Sequence, residues 1–226
     1  MSLTSSLRER LSGDRALSHV ARAFYRLATF RNPRFGAMLR ALRRDGMVFQ
    51  QHELDACSLL PAGLLDIIMQ QVTPRSVLDV GCGTGASLAW FLGRGVHGVG
   101  LEGSTLAIAA SPVASKIRQA DLREPIDLGE RFDLVWSYEV AEHLHPQHAG
   151  VFVDTLVAHG DCIVMSAARP GQGGERHFNE QEPEYWIEKF ARRGFVVDEQ
   201  LQSQLRASGD QFAGNIIAVR SAARRT

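Results

Sequence analysis

The chain has 226 residues, 45% of them apolar and 22% charged, with 21 glycines and 8 prolines, a balance that excludes collagenous and disordered classes. Its three cysteines, Cys57, Cys82 and Cys162, are odd in number and far apart, which argues against both a disulfide framework and a thiolate zinc site. Net charge is zero, but residues 1–50 hold ten arginines and three acids, +7, and the remainder carries −7, so the two parts have opposite fields.

The opening reads as helix. Leu17, Val20, Phe24 and Leu27 share one face and Arg15, Arg22 and Arg26 the other, while Asn32-Pro33 and Asp45-Gly46 break the region into short pieces. A further helix over Pro61 to Gln71 ends ahead of Thr73-Pro74, because proline restricts the residue before it. Residues 1–72 are therefore expected to form a helical cap and residues 73–226 the main domain, a division that suits one large α/β unit with an appendage. The basic opening is expected to dock on the acidic remainder. A nucleic-acid or anionic-membrane role for it is the alternative, and nucleic acid is disfavoured because acids interrupt the short basic run. No apolar run reaches the roughly 18 residues of a membrane helix. Met1-Ser2-Leu3-Thr4 lacks the layout of a signal peptide. A cytoplasmic location is expected.

From Arg75 onward short apolar runs alternate with amphipathic stretches, the pattern of βα units around a mostly parallel sheet. Strands are expected at Ser76 to Val80, His97 to Leu101, Lys116 to Ala120, Phe132 to Ser137, Cys162 to Ser166, Phe195 to Leu201 and Asn215 to Arg220. Helices are expected at Thr84 to Leu92, Thr105 to Ala110, Pro146 to Ala158 and Pro183 to Arg192. The last two strands leave no apparent room for a helix between them and are expected to pair antiparallel at one edge.

The sharpest signal is Val77-Leu78-Asp79-Val80-Gly81-Cys82-Gly83-Thr84-Gly85, a strand entering a glycine-rich turn that leads into a helix. Glycines let the backbone turn tightly and let a ligand lie against it, but Gly81-x-Gly83-x-x-Ala86 also satisfies the dinucleotide fingerprint, so this spacing leaves a nicotinamide cofactor open. Four acids, Asp79, Glu102, Asp121 and Glu139, stand at the expected C-terminal ends of successive strands. In an open parallel sheet those ends share one rim. A crevice so acidic repels a pyrophosphate and suits a ligand with hydroxyls, an amine and a positive charge.

With these residues the chain resembles the class I S-adenosylmethionine-dependent methyltransferases over residues 75 to about 220, of the small-molecule type. The resemblance implies a Rossmann-like sheet of seven mostly parallel strands with an antiparallel last strand, here preceded by the helical cap. It also implies that Asp79, Gly81, Cys82, Gly83 and Gly85 hold the methionine part of S-adenosyl-L-methionine and that Glu102 takes the ribose hydroxyls. Asp121 and Leu122 would contact the adenine, and Ser137 and Tyr138 would lie beside the cofactor.

Glu139-Val140-Ala141-Glu142-His143-Leu144-His145-Pro146 resembles the segment that follows the fourth strand in small-molecule methyltransferases, and it departs from the Asn-Pro-Pro-aromatic pattern of enzymes acting on amides. A small-molecule acceptor, with a hydroxyl as nucleophile, is expected. His143, Glu139 and His177 are the candidate catalytic residues. For His143 three roles stand: a buried structural histidine, a general base, or a metal ligand. The metal option follows from spacing, since a helical turn over 139–143 would send Glu139, Glu142 and His143 to one side, where His177 could join them. Such an arrangement resembles metal-dependent 2′-O-methyltransferases of small-RNA ends over a few residues. A protein that binds the donor without transferring its methyl is a further reading. The loop Arg169 to Gln181 is expected to wall the acceptor pocket with Arg176, His177 and Asn179, and Phe49 to His52 to cross the cofactor as part of a lid.

Overall fold

The computed structural model describes residues 58–174 and 176–224. The helices expected in the first fifty residues, with the Phe49 to His52 lid, lie outside these described residues. The chain divides into units 1–47 and 48–226, and everything described belongs to the second.

In order, the elements are α1 (Ala62–Gln71), β1 (Ser76–Val80), α2 (Ala86–Leu92), β2 (His97–Glu102), α3 (Thr105–Ala110), β3 (Ile117–Gln119), β4 (Leu134–Ser137), α4 (Ala149–His159), β5 (Cys162–Ser166), α5 (Pro183–Ala191), β6 (Phe195–Val197), α6 (Glu199–Arg206) and β7 (Ile216–Ser221). The strands form one sheet in the order β3-β2-β1-β4-β5-β7-β6. Its β3-β2-β1-β4-β5 portion is parallel, whereas β7 runs antiparallel to both neighbours. This is the seven-stranded Rossmann-like sheet with an antiparallel finish that the sequence led one to expect.

The central strands are apolar along their length because both faces of the sheet are covered. On one face Phe152 and Leu156 of α4 and Trp186 and Phe190 of α5 pack over Leu78, Val135 and Ile163. On the other, Leu64, Leu65 and Ile68 of α1, Leu88 and Phe91 of α2, and Leu201 and Leu205 of α6 cover Val77, Leu134 and Val164. The helix assigned to the cap, α1, is thus part of the sheet's own core. Each fully buried side chain of this size contributes about 1.5–3 kcal/mol, which fixes the sheet as a platform for its C-terminal rim.

The carboxyl-terminal third differs from expectation. The strand expected to run to Leu201 ends at Val197, and α6 occupies the connection that had seemed too short for a helix. Asp198 starts that helix, its side chain accepting the Leu201 N–H at 3.1 Å. Leu201 and Leu205 then fall one turn apart and are buried. The apolar run Phe195-Val196-Val197 reads as a strand, and Leu201 looks like its continuation because the polar residues Asp198 to Gln200 between them are the first turn of a helix whose apolar stripe begins at Leu201. The antiparallel pairing survives, with Phe195 opposite Ser221 and Val197 opposite Val219. Elsewhere the corrections are local. Strand three contracts to Ile117–Gln119 and strand four to Leu134–Ser137, while the helix expected from Pro146 opens as a 3-10 turn, Pro146–His148. Among the described residues no helix is long and apolar enough to cross a membrane.

Candidate active site

The rim where β1, β2 and β4 end is built from the turn after β1. Gly81 takes φ 74°, open to glycine without strain, and a Cβ there would lie 2.6 Å from the Val140 side chain. Gly81 and Cys82 both donate their N–H to the carbonyl of Leu101, at 2.8 and 3.0 Å, which ties the turn to β2. Glu102, 5% exposed, accepts the N–H of Gly83 at 2.8 Å and that of Ser104 at 2.7 Å. Asp79, 3% exposed, has one oxygen, Oδ2, that is buried and without a hydrogen-bond partner. Burial, reinforced by the nearby charge of Glu102, pushes its pKa up to about 7. A buried carboxylate oxygen lacking a donor fits a cationic ligand, and the amine and sulfonium of S-adenosylmethionine meet that need. Burial pushes the Cys82 thiol up as well, with Asp79 and Glu102 adding to it, so this residue lines the turn as an unreactive thiol.

The other expected cofactor residues have partners of their own. Asp121, exposed at the end of β3, accepts from Nε and Nη2 of Arg123 at 2.8 and 2.6 Å, and this hydrogen bonding holds its carboxyl below the usual range. Leu122 beside it is buried. The Ser137 hydroxyl donates to the Val80 carbonyl at 2.8 Å, stitching β4 to β1. Tyr138 stacks on Trp136 at 5.4 Å and donates to Asp210 at 2.7 Å, and burial, then that bond, pushes its phenol up.

The segment after β4 forms the second half of the rim. Glu139 has φ 54°, an unusual conformation for a residue with a side chain, and its N–H is fixed by the Ser166 hydroxyl at 2.7 Å. Its carboxylate accepts from the side-chain amides of Gln172 and Asn215, each at 3.1 Å. The 3-10 turn Ala141–His143 follows. Glu142 is 0% exposed, and neither of its oxygens has a hydrogen-bond partner among the described residues. Burial and then the charge of Glu139 push its pKa up to about 9.

Glu142, His143 and His177 each offer one ligand atom, all within 4.8 Å of one another. The rings of His143 and His177 meet edge to face at 5.0 Å. The His143 ring opens to solvent, yet the surrounding protein, followed by His177, lowers its pKa below the usual imidazole range. The stretch after β5 is sewn to this turn, since Phe178 and Asn179 donate their N–H to the Glu142 carbonyl at 2.8 and 3.1 Å. Arg176, before His177, has φ 61°. Of the four expected ligands Glu142, His143 and His177 therefore converge, while the Glu139 carboxylate lies near Glu142 and is occupied by the amides of Gln172 and Asn215. Three such groups around buried, unpaired oxygens can hold a divalent cation or accept a proton from a bound hydroxyl.

Sequence reasoning missed Ser166, Gln172, Glu180 and Asn215. Ser166 ends β5 and obeys the same strand-end rule that singled out Asp79. Glu180 accepts from the Gly171 N–H at 2.9 Å, the Gly173 N–H at 2.7 Å and His177 Nδ1 at 3.0 Å, and its position three residues after His177 was the available signal.

Residues 48–159 match a family profile described as a methyltransferase domain. A curated relative, the ubiquinone biosynthesis O-methyltransferase of Nitrobacter winogradskyi, is 35% identical over 88 residues, 36% of this chain. The match spans only 33% of that relative's length. Among solved structures, DesVI of Streptomyces venezuelae aligns over 71% of this chain and 91% of its own, with TM-score 0.56 and 18% identity. The sugar N-methyltransferase KedS8 of a Streptoalloteichus species covers 70% and 84%, with TM-score 0.52 and 19% identity. The methyltransferase domain of bacterial CtHen1-C covers 70% and 95%, with TM-score 0.52 and 15% identity. At these identities the structural likeness speaks for the fold.

Proposed function

We propose that this chain, which belongs to the S-adenosylmethionine-dependent methyltransferase family, moves a methyl group to a hydroxyl oxygen of a small-molecule acceptor in the cytoplasm. The observation that carries the acceptor half is Glu142, buried with both oxygens unpartnered beside two imidazoles. When bound, S-adenosylmethionine supplies a methyl already electrophilic on a sulfonium sulfur.

What remains for the chain is binding, alignment and proton handling. Asp79 would face the positive charge of the methionine part through its unpartnered oxygen. The Gly81–Gly85 turn would lie along the ligand, and Glu102, held by two N–H donors, keeps lone pairs for the ribose hydroxyls. Asp121 and Leu122 would flank the adenine, with Ser137 and Tyr138 at the join to the acceptor side. His143 would take the hydroxyl proton through its neutral ring, with Glu142 and His177 beside it. Burial and then His177 keep that ring uncharged near pH 7 and weaken it as a base, so the basicity it needs must come from the bound acceptor and donor.

The same three residues support a second reading, in which Glu142, His143 and His177 would hold a divalent cation, whose charge would supply a lowered pKa to the acceptor hydroxyl. The unpaired Glu142 oxygens favour it specifically. An RNA-end or sugar hydroxyl belongs to this second reading.

Incubation with methyl-labelled donor and a metabolite extract, with Mg²⁺, with Mn²⁺ or with chelator, tests both. A product heavier by one methyl in all three conditions supports the metal-free route, and one lost with chelator supports the cation. Donor binding with no labelled product from any extract would overturn both.

A further inference from the structure

We propose that Glu180 is the positioning residue of the acceptor centre, holding the proton of His177 on Nδ1 so that Nε2 carries the lone pair offered beside Glu142 and His143. The inference rests on the reading above, in which that cluster serves the acceptor.

A neutral imidazole has one N–H and one lone pair, and whichever partner holds one nitrogen decides what the other presents. His177 Nδ1 lies 3.0 Å from Glu180 Oε1. That carboxylate already receives the N–H groups of Gly171 at 2.9 Å and Gly173 at 2.7 Å, so it is surrounded by donors and meets Nδ1 as an acceptor. With Nδ1 committed to Glu180, Nε2 is the nitrogen that keeps a lone pair to offer. Nε2 lies over Gly174, where a Cβ would approach to 2.4 Å, so the position must stay bare for the ring to keep its place. Glu180 thereby sets two things at once: the path of the glycine-rich stretch 171–174 and the tautomer of the histidine that follows it. A carboxylate behind a working imidazole is a recurrent device for raising its basicity and fixing its orientation, and loss of such a partner lowers activity or metal affinity about 10–100-fold.

Long-range proton–nitrogen correlation spectra of the full chain, labelled at histidine nitrogens and recorded at about pH 8 where imidazole is neutral, read the tautomer directly. In the unaltered chain His177 is expected as the Nδ1–H form. Glu180→Gln places an amide opposite Nδ1 that can donate to it, and the proton is expected to move to Nε2, with kcat for methyl transfer falling about tenfold or more and donor affinity unchanged. Gly174→Ala gives an independent check, because it displaces the ring while leaving Glu180 in place, and a comparable loss of kcat is expected with the Nδ1–H form retained. An unaltered chain in the Nε2–H form, a tautomer indifferent to Glu180→Gln, or variants with full kcat would each overturn the proposal. Failure of the underlying reading looks different: an unaltered chain that binds donor and methylates nothing, which removes the role of Glu180 with it.

Discussion

Asp79 stands where a buried oxygen has no partner and a second carboxylate is near, so in the proposed donor site its proton and the donor's positive charge would compete for the same place. Folded, it keeps its proton up to about 7, while the ordinary aspartate value is 3.8. Because the folded form binds the proton more tightly, stability falls as pH rises between these two values and levels off above the upper one. A cationic donor prefers the ionised carboxylate, so donor affinity is expected to rise as pH passes upward through about 7. Calorimetric titration across that range should show the rise in the unaltered chain and lose it in Asp79→Asn, with affinity at high pH lower by about tenfold, the equivalent of one charged contact. A flat pH profile in the unaltered chain would remove Asp79 from the donor site. Glu142 calls for a different measurement. Added Mn²⁺ should raise the melting temperature of the unaltered chain through preferential binding to the folded form, and should leave Glu142→Gln unmoved. Equal shifts in both would place the ion elsewhere.

Asp79, Glu102 and Glu139 were legible because strand ends in a parallel sheet share a rim, a rule that needs only spacing. Side-chain partners were not. Nothing in the local pattern around Glu139 announces Gln172 or Asn215, which come from 33 and 76 residues away. The same limit applies to elements. Strong periodicity revealed six of the seven strand sites closely, whereas α6 went unseen because its cap, Asp198, lies directly after a three-residue strand. Asp198 both starts α6 and bonds Arg220 of β7, so it ties the helix to a strand inside the sheet, between β5 and β6. Asp198→Ala should remove about 1 kcal/mol from the cap alone, visible as a fall of about 2–4 °C in melting temperature for a chain of this length. At the rim, Gly81→Ala should weaken donor binding because the new Cβ strikes Val140. Pairing it with Val140→Ala should recover part of the loss, and the residue in αL conformation explains why recovery stays incomplete. No recovery at all would mean the contact between the two rim segments is unimportant.

Among the described residues, the seven strands and both apolar clusters fall between residues 62 and 221, and helices cover both faces of the sheet. The sheet unit thus carries a core of its own, as expected for a domain. A chain beginning at Val48 should unfold in one cooperative transition and bind S-adenosylmethionine with the affinity of the full chain, since Asp79, Glu102 and the glycine turn all lie within it. Methyl transfer is another matter. Residues 1–50 carry +7 against −7 in the rest, and a segment of that charge is expected to act on the choice of acceptor rather than on the donor. Circular-dichroism melting, donor titration and transfer assays on the shortened and full chains separate the two. Unchanged donor binding with reduced transfer assigns the opening segment to the acceptor side, whereas loss of cooperative unfolding would show that the sheet cannot hold its rim without it.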